Sequence, residues 1–298
     1  MALLLLLPLV IWLLSDAGYA LAIARLKRQF ERISGRTPSG ILPQAETFET
    51  GNGQTAILFV PGFMDTPAVF RRMATALATN TPVHCQIVRL PGMGDCRPAS
   101  LLVWQKEIES AYNQLRHSYA KVFLCGHSLG GGLILSLVPK LTPDGVILLA
   151  PLVDVSSARM PLGLPARKVW HFASHFLIAT KELKSIFPTI RQAEDDPTYR
   201  YRADAFVSLQ AYEALFEVVG KLRGRTQESH SKMPPALLIT ATDDQVVDNQ
   251  ATEAFFAHWE GPLIHFRLPG GHSIPLGTPW RTALAQIETF LHSEKEDK

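Results

Sequence analysis

Beyond residue 50 the chain alternates short apolar runs with longer stretches whose apolar positions recur every three or four residues. The runs are Thr55–Val60, Cys85–Leu90, Lys121–Cys125, Gly145–Ala150, Ala236–Thr240 and Leu263–Leu268. They are largely apolar on both faces, which predicts strands buried between helix layers. Between them the spacing predicts helices over Pro67–Ala78, Trp104–Ser118, Gly130–Val138, Gln250–Trp259 and Thr282–His292. In the first, Pro67 suits the opening turn and Asp65 or Thr66 supplies the N-cap. In the second, Ile108, Tyr112 and Leu115 fall at helical intervals. Strand–helix alternation of this kind implies an α/β protein with a mostly parallel sheet covered on both faces.

One interval breaks the rhythm. From about Val155 to Met233 no strand pattern is visible, only proline-punctuated helical stretches. That is far longer than an ordinary connection. It predicts a helical cap, about residues 156–233, lying over the carboxyl edge of the sheet.

The N-terminus follows a different pattern. Ala2 to Leu14 is uninterrupted apolar sequence, and Asp16 is the one charge before Arg25. Ala2–Ala24 is long enough to cross a bilayer, and Asp16 lies toward the basic end, where an interfacial position lowers its cost. Basic residues follow the apolar run and none precedes it, which favours a retained membrane anchor or interfacial helix with a cytoplasmic main domain. The alternatives are a secretory signal cleaved near Gly18 or Ala20 and a buried helix. Residues 34–46, rich in Ser, Gly and Pro, read as a linker. The expected division is therefore an anchor and basic linker over 1–40 and one large domain over 41–298.

Charge sharpens that division. The net charge is +2, but residues 1–40 carry five basic residues against Asp16 and Glu31, a net +3, which leaves −1 for the remainder. A nearly neutral body offers no electrostatic footprint for nucleic acid. Cys85, Cys96 and Cys125 have neither disulfide-framework nor metal-ligand spacing and suit small buried positions.

Candidate chemistry begins at Gly126-His127-Ser128-Leu129-Gly130, which stands between a predicted strand and a predicted helix. A sharp strand-to-helix turn puts a serine in strained backbone geometry, with glycines where side chains would clash. Ser128 then stands at the sheet edge beside a helix N-terminus. A serine nucleophile needs a base and the base an orienting carboxylate, which in this arrangement follow in the order acid, then histidine. His272 follows the strand Leu263–Leu268 on a Gly-Gly loop. For the acid, Asp244 is favoured over its neighbour Asp243, with Asp154 an outside candidate. His265 and His127 read as structural, while His171 and His175 could touch substrate or pack cap helices, packing being favoured. The oxyanion donors are backbone N–H groups of Leu129 and of Phe63, with Met64 next.

These residues resemble the α/β-hydrolase superfamily, in particular its monoacylglycerol lipase and carboxylesterase branch. The resemblance covers roughly residues 55–292 and rests on "VPGFMDTP", "RLPGMGD", "CGHSLGGG", "TATDDQVVD" and "PGGHSI" in family order. It implies an α/β-hydrolase fold with Ser128 as nucleophile, Asp244 as acid, His272 as base, and Phe63 and Leu129 as oxyanion donors. Two positions depart from the family pattern, Pro61 and Met93, where histidines are usual. The implied activity is serine-dependent hydrolysis of acyl esters, a monoacylglycerol or lysophospholipid being suited to a membrane-tethered enzyme, with no metal or organic cofactor. An acyltransferase using the same acyl-enzyme and a non-catalytic tethered binding protein are the alternatives. Trp170, Phe172, Phe176 and Leu177 could line an acyl pocket or pack the cap.

Overall fold

The computed structural model describes residues 2–160, 163–225 and 233–296. Helix α1 (Ala2–Ser34) leads into β1 (Phe48–Thr50) and β2 (Thr55–Val60). Then follow α2 (Ala68–Asn80), β3 (Val83–Ile87), α3 (Leu101–Ser118), β4 (Lys121–His127), α4 (Leu129–Leu141) and β5 (Gly145–Leu149). The inserted region contains α5 (Ala166–Ser174), β6 (Glu182–Lys184), β7 (Ile190–Gln192), β8 (Arg200–Arg202), β9 (Phe206–Ser208) and α6 (Leu209–Arg225). The chain closes with β10 (Ala236–Ala241), α7 (Asn249–Phe256), β11 (Leu263–Leu268) and α8 (Trp280–Glu296).

Seven strands form the central sheet in the order β1-β3-β2-β4-β5-β10-β11, all parallel except β1, which runs antiparallel to β3. After β3 the chain crosses back over β2 to build β4, so the winding reverses between β2 and β4. Crevices in open α/β sheets form at the carboxyl ends of strands where the winding reverses. The register sets Val60 opposite Gly126, so both strands end at the same level. β2, β5 and β10 are buried throughout, as continuous apolar runs require. Helices flank the sheet, with α2 joined to α8 by Asn80–Glu288 and α3 joined to α4 by Gln105–Ser136.

Several expectations need correction. β11 is an edge strand and mostly exposed, so its apolar residues are not sandwiched between helix layers; Leu263 and Ile264 face solvent. Neither Asp65 nor Thr66 caps α2, whose N-cap position is Pro67 without a side-chain bond. The inserted region is not purely helical: β6 pairs with β9 and β7 with β8, both antiparallel. Each of these strands has three residues. A three-residue strand is too short to show an alternation of its own. The helical stretch that begins at Ala166 stops at Ser174.

The expected linker is irregular but pinned. Arg36 donates to the Gly94 carbonyl at 2.6 Å and to Asp204 at 2.8 Å, while Asp204 accepts the Gly94 N–H at 2.7 Å. Three segments remote in sequence meet there: the end of α1, the loop after β3 and the inserted region. Leu42 and Ala45 are buried beside it. Asp16 also departs from expectation, since its carboxylate is buried against residues 178–180.

Leu58 in β2 is completely buried. Leu58→Ala should destabilise the protein by about 2–5 kcal/mol. Urea unfolding should show a lowered midpoint with an unchanged slope.

Candidate active site

The site is assembled at the ends of β2, β4, β10 and β11. Ser128, between β4 and α4, has φ 53° and ψ −120°, a conformation that costs a non-glycine residue about 1–3 kcal/mol. The turn holds because its neighbours carry no side chains. A Cβ on Gly126 would lie 2.6 Å from the Gly130 backbone, and one on Gly130 would lie 2.0 Å from the Val60 carbonyl oxygen. The Ser128 carbonyl accepts the Gly132 and Leu152 N–H groups at 3.1 and 2.8 Å, and the Ser128 N–H donates to Leu149 at 3.0 Å. The hydroxyl stays free for the other side of the turn.

There it meets His272. Ser128 Oγ lies 2.8 Å from His272 Nε2, and His272 Nδ1 lies 2.7 Å from Asp244 Oδ2. An ionised carboxylate only accepts, so Nδ1 carries the hydrogen and Nε2 is left to accept from the hydroxyl. Asp244 Oδ1 accepts the Val246 and Val247 N–H groups at 2.8 and 3.0 Å, which fixes the carboxylate plane. Burial raises the Asp244 carboxyl, but the His272 hydrogen bond and the two N–H groups outweigh it, and the net direction is below the ordinary value. Burial drives His272 below its ordinary 6.5, and Asp244 offsets this only in part. The imidazole is therefore neutral at neutral pH, the form that can accept a proton.

The other acid candidates lie elsewhere. Asp243 is exposed and sits in the turn, its N–H on the Gly270 carbonyl. Asp154 is buried against Arg223. His265, expected inside a packed strand, sits on the exposed edge strand and bonds Thr240 at 2.9 Å.

Sequence reasoning missed a second layer. His127 Nε2 is 3.0 Å from the His272 carbonyl oxygen, which only accepts, so His127 donates. Its other nitrogen faces Asp65 Oδ2 at 3.7 Å. Asp65 accepts from the Tyr201 hydroxyl at 3.2 Å and lies 3.7 Å from Arg191 Nε. Burial raises the Asp65 carboxyl, and His127 and Arg191 bring it below the ordinary value. His127 thus bonds the backbone of the loop carrying His272 and lies between that loop and Asp65. No motif at these positions announces this, because its members come from the loop after β2, the turn at Ser128 and the inserted region.

The loop after β2 supplies the remaining geometry. The Met64 N–H points to Met93 Sδ at 3.2 Å, and Met64 has φ 60°. Met64 is therefore committed, whereas the Phe63 N–H has no hydrogen bond among the described residues. Leu129 opens α4, so its N–H has no carbonyl one turn back. Above the loop, the Phe63 ring meets Tyr212 at 5.1 Å, and Tyr212 stacks on Trp170 at 4.9 Å. Trp170 also stacks on Phe216 at 5.9 Å. Of the aromatic cap residues, Trp170 faces inward with α6, while Phe172 and Phe176 are exposed on the other side. A cleft of about 520 Å³ between α5 and α6 is lined by Trp170, Phe216, His171 and His175 but by no member of the Ser128–His272–Asp244 chain. We take the hydrogen-bond geometry, not that cleft, as marking the site.

Nuclear magnetic resonance should show His272 titrating with a midpoint below 6.5. Asp244→Asn removes a charge that raises it, so the midpoint should fall further. A rise in the variant would contradict the geometry described.

Residues 57–285 match the alpha/beta hydrolase family. A thermostable monoacylglycerol lipase from Bacillus sp. is 32% identical over 121 residues, 39% of this chain and 48% of that protein, so the match spans about half of the relative's length. Among solved structures, one from work on two metagenome-derived lipolytic enzymes, LipS and LipT, superposes with TM-score 0.69 at 20% identity, covering 85% of this chain and 99% of the other. The monoacylglycerol lipase of Paleococcus ferrophilus gives 0.65 at 17% identity over 84% of this chain and 98% of its own. A soluble variant of the Saccharomyces cerevisiae monoglyceride lipase, in complex with a substrate analogue, gives 0.64 at 18% identity, covering 83% and 91%. At these identities the structures speak for the fold.

Proposed function

The chain belongs to the alpha/beta hydrolase family, and from that premise we propose that it hydrolyses carboxylic esters of lipid-like acyl groups, with Ser128 as nucleophile, His272 as general base and Asp244 as the orienting acid. The observation that carries this reading is the continuous hydrogen-bond chain from Ser128 Oγ through His272 to Asp244, at 2.8 and 2.7 Å, on a strained elbow.

In the proposed mechanism, His272 Nε2 takes the hydroxyl proton as Ser128 Oγ bonds to the ester carbonyl carbon. The Asp244 charge stabilises the resulting imidazolium. The Phe63 and Leu129 N–H groups donate to the carbonyl oxygen as it becomes negative. The tetrahedral species then collapses: the carbon–oxygen bond to the alcohol breaks, and His272 returns its proton to the departing alkoxide. Water repeats the sequence against the acyl-serine, giving the free acid and restoring the serine. The aromatic wall of Phe63, Tyr212, Trp170 and Phe216 supports an apolar acyl group. A monoacylglycerol or lysophospholipid is the substrate class we favour, in keeping with the activity named for the Bacillus relative. Attachment to membranes through α1 belongs to the same reading. Cleavage near Gly18 or Ala20 would remove Trp12 and Asp16, both bonded to the cap, which favours retention of α1.

A fluorophosphonate probe should label the protein, and Ser128→Ala should abolish labelling and lower ester turnover by roughly 10⁴-fold or more. A folded wild type that does not label would sink the proposal. Turnover of p-nitrophenyl esters should rise with pH as His272 loses its proton, with a midpoint below 6.5. Free acid should remain the main product when an alcohol acceptor is added; a dominant ester product would instead assign acyl transfer.

A further inference from the structure

Helix α1 is not a separate appendage. Trp12 Nε1 donates to the Phe176 carbonyl at 2.9 Å, and the two rings meet edge-on with centroids 5.8 Å apart. One turn later, Asp16 accepts the N–H groups of Ile178 at 2.8 Å, Ala179 at 2.6 Å and Thr180 at 3.3 Å. The Thr180 hydroxyl donates back to the Asp16 carbonyl at 3.4 Å. Further along, Lys27 pairs with Glu182, and Phe30 meets Phe206 at 6.0 Å. These contacts run over about five helical turns and fix α1 along the cap.

Among the described residues, the stretch long and apolar enough to cross a bilayer lies within Pro8–Ser34, which holds the α1 residues of all these contacts. A crossing by that stretch would carry residues 176–182 into hydrocarbon with it. Residues 176–181 are irregular backbone, and the segment carries Lys181 and Glu182, the latter opening β6. Lipid-facing irregular backbone is not tolerated at that depth. A helix lying in the interfacial plane meets no such cost.

The surface formed by the two elements fits that placement. Leu9, Leu13 and Leu14 are exposed on α1, and Phe172, Phe176 and Ile178 are exposed on the cap segment that Trp12 and Asp16 grip. The Phe172 and Phe176 rings lie 5.1 Å apart, so the apolar surface continues from the helix onto the cap. Charge identifies the lipid. Arg25, Arg28 and Arg32 on α1, and Lys168, Lys181 and Lys184 on the cap, are exposed. The acidic residues of the same stretches are already engaged, Asp16 with backbone, Glu31 with Arg36 and Glu182 with Lys27.

We propose that α1 and the cap form one docking surface for an anionic lipid bilayer, with α1 lying in the plane of the interface and held to the cap by Asp16. The proposal rests on the membrane attachment given above and fixes its form; it does not depend on the ester chemistry. It also gives α5 two faces. Phe172 meets lipid, while Trp170, two residues earlier, packs through Tyr212 onto Phe63.

All three native cysteines are buried, so a single introduced cysteine can be labelled selectively with an environment-sensitive fluorophore. The full chain would carry Leu14→Cys or Phe172→Cys, both at exposed positions, and be mixed with phosphatidylcholine vesicles with or without phosphatidylglycerol. Both probes should shift to the blue, and both should be quenched better by shallow than by mid-bilayer lipid spin labels. Binding should be roughly 10-fold tighter or more with the anionic lipid. Asp16→Ala should keep the shift at Leu14 and lose it at Phe172, and Asp16→Asn should lose it in part. The Asn variant serves as the readout should the Ala variant not fold. An aqueous Phe172 probe in the otherwise unaltered chain, mid-bilayer quenching at Leu14, equal binding to both vesicles, or a Phe172 shift insensitive to Asp16 would each overturn the proposal. Fluorophosphonate labelling of the same samples reports separately on the Ser128 chemistry.

Discussion

The candidate site depends on one backbone-to-backbone approach, that of the first turn of α4 to the end of β2. Gly130 lies so close to the Val60 carbonyl that a single added carbon would sit 2.0 Å from its oxygen. That contact brings the turn bearing Ser128 against the loop bearing Phe63, as the proposed chemistry at one carbonyl group requires. The strain at Ser128 follows from it, since the chain must reverse within one residue to place the helix there. The strain is held by neighbours: β4 and β2 are in register at Val60 and Gly126, and β5 accepts the Ser128 N–H. A buried parallel sheet can fix such a turn where a loop could not.

The same economy appears around His272, whose position is set from two sides. Asp244 fixes the ring, and His127 fixes the backbone of the loop that carries it. His127 in turn faces Asp65, which Tyr201 and Arg191 of the inserted region also reach. The inserted region therefore reaches toward the His272 loop by way of Asp65 and His127, and α1 touches the inserted region by way of Asp16. No single segment of sequence contains these contacts.

That division explains what could be read from the sequence. Strands β2, β4, β5, β10 and β11 were legible because each carries its own apolar signal, and the Gly-x-Ser-x-Gly turn was legible because steric demand dictates its glycines. Ser128, Asp244 and His272 followed from the order in which such groups occur along the chain. Strands β6 to β9 were not legible, because three residues are too few to show an alternation and each strand is defined only by its pairing. The exposure of β11 was hidden too, since Leu263–Leu268 looks as apolar as a central strand and only the sheet order makes it an edge. Asp16 looked like an isolated cost within an apolar helix. Its acceptors' partners, three consecutive N–H groups, lie more than 160 residues away.

The two departures from the family pattern, Pro61 and Met93, have a common physical consequence. Both bear on the loop after β2, whose N–H groups must be either aimed at substrate or satisfied within the protein. Pro61 carries no N–H and so brings no donor that needs a partner. Met93 reaches under the loop, and its sulfur faces the Met64 N–H at 3.2 Å. A thioether is a weak acceptor but a flexible one that fills irregular space. Met64 is occupied in this way, whereas the Phe63 N–H has no hydrogen bond among the described residues. The histidines usual at these two places would bring ring donors and acceptors needing partners of their own in a buried pocket. Here an imino acid and a sulfur leave the loop with fewer polar groups to satisfy, and the backbone geometry on which acyl chemistry would depend is kept.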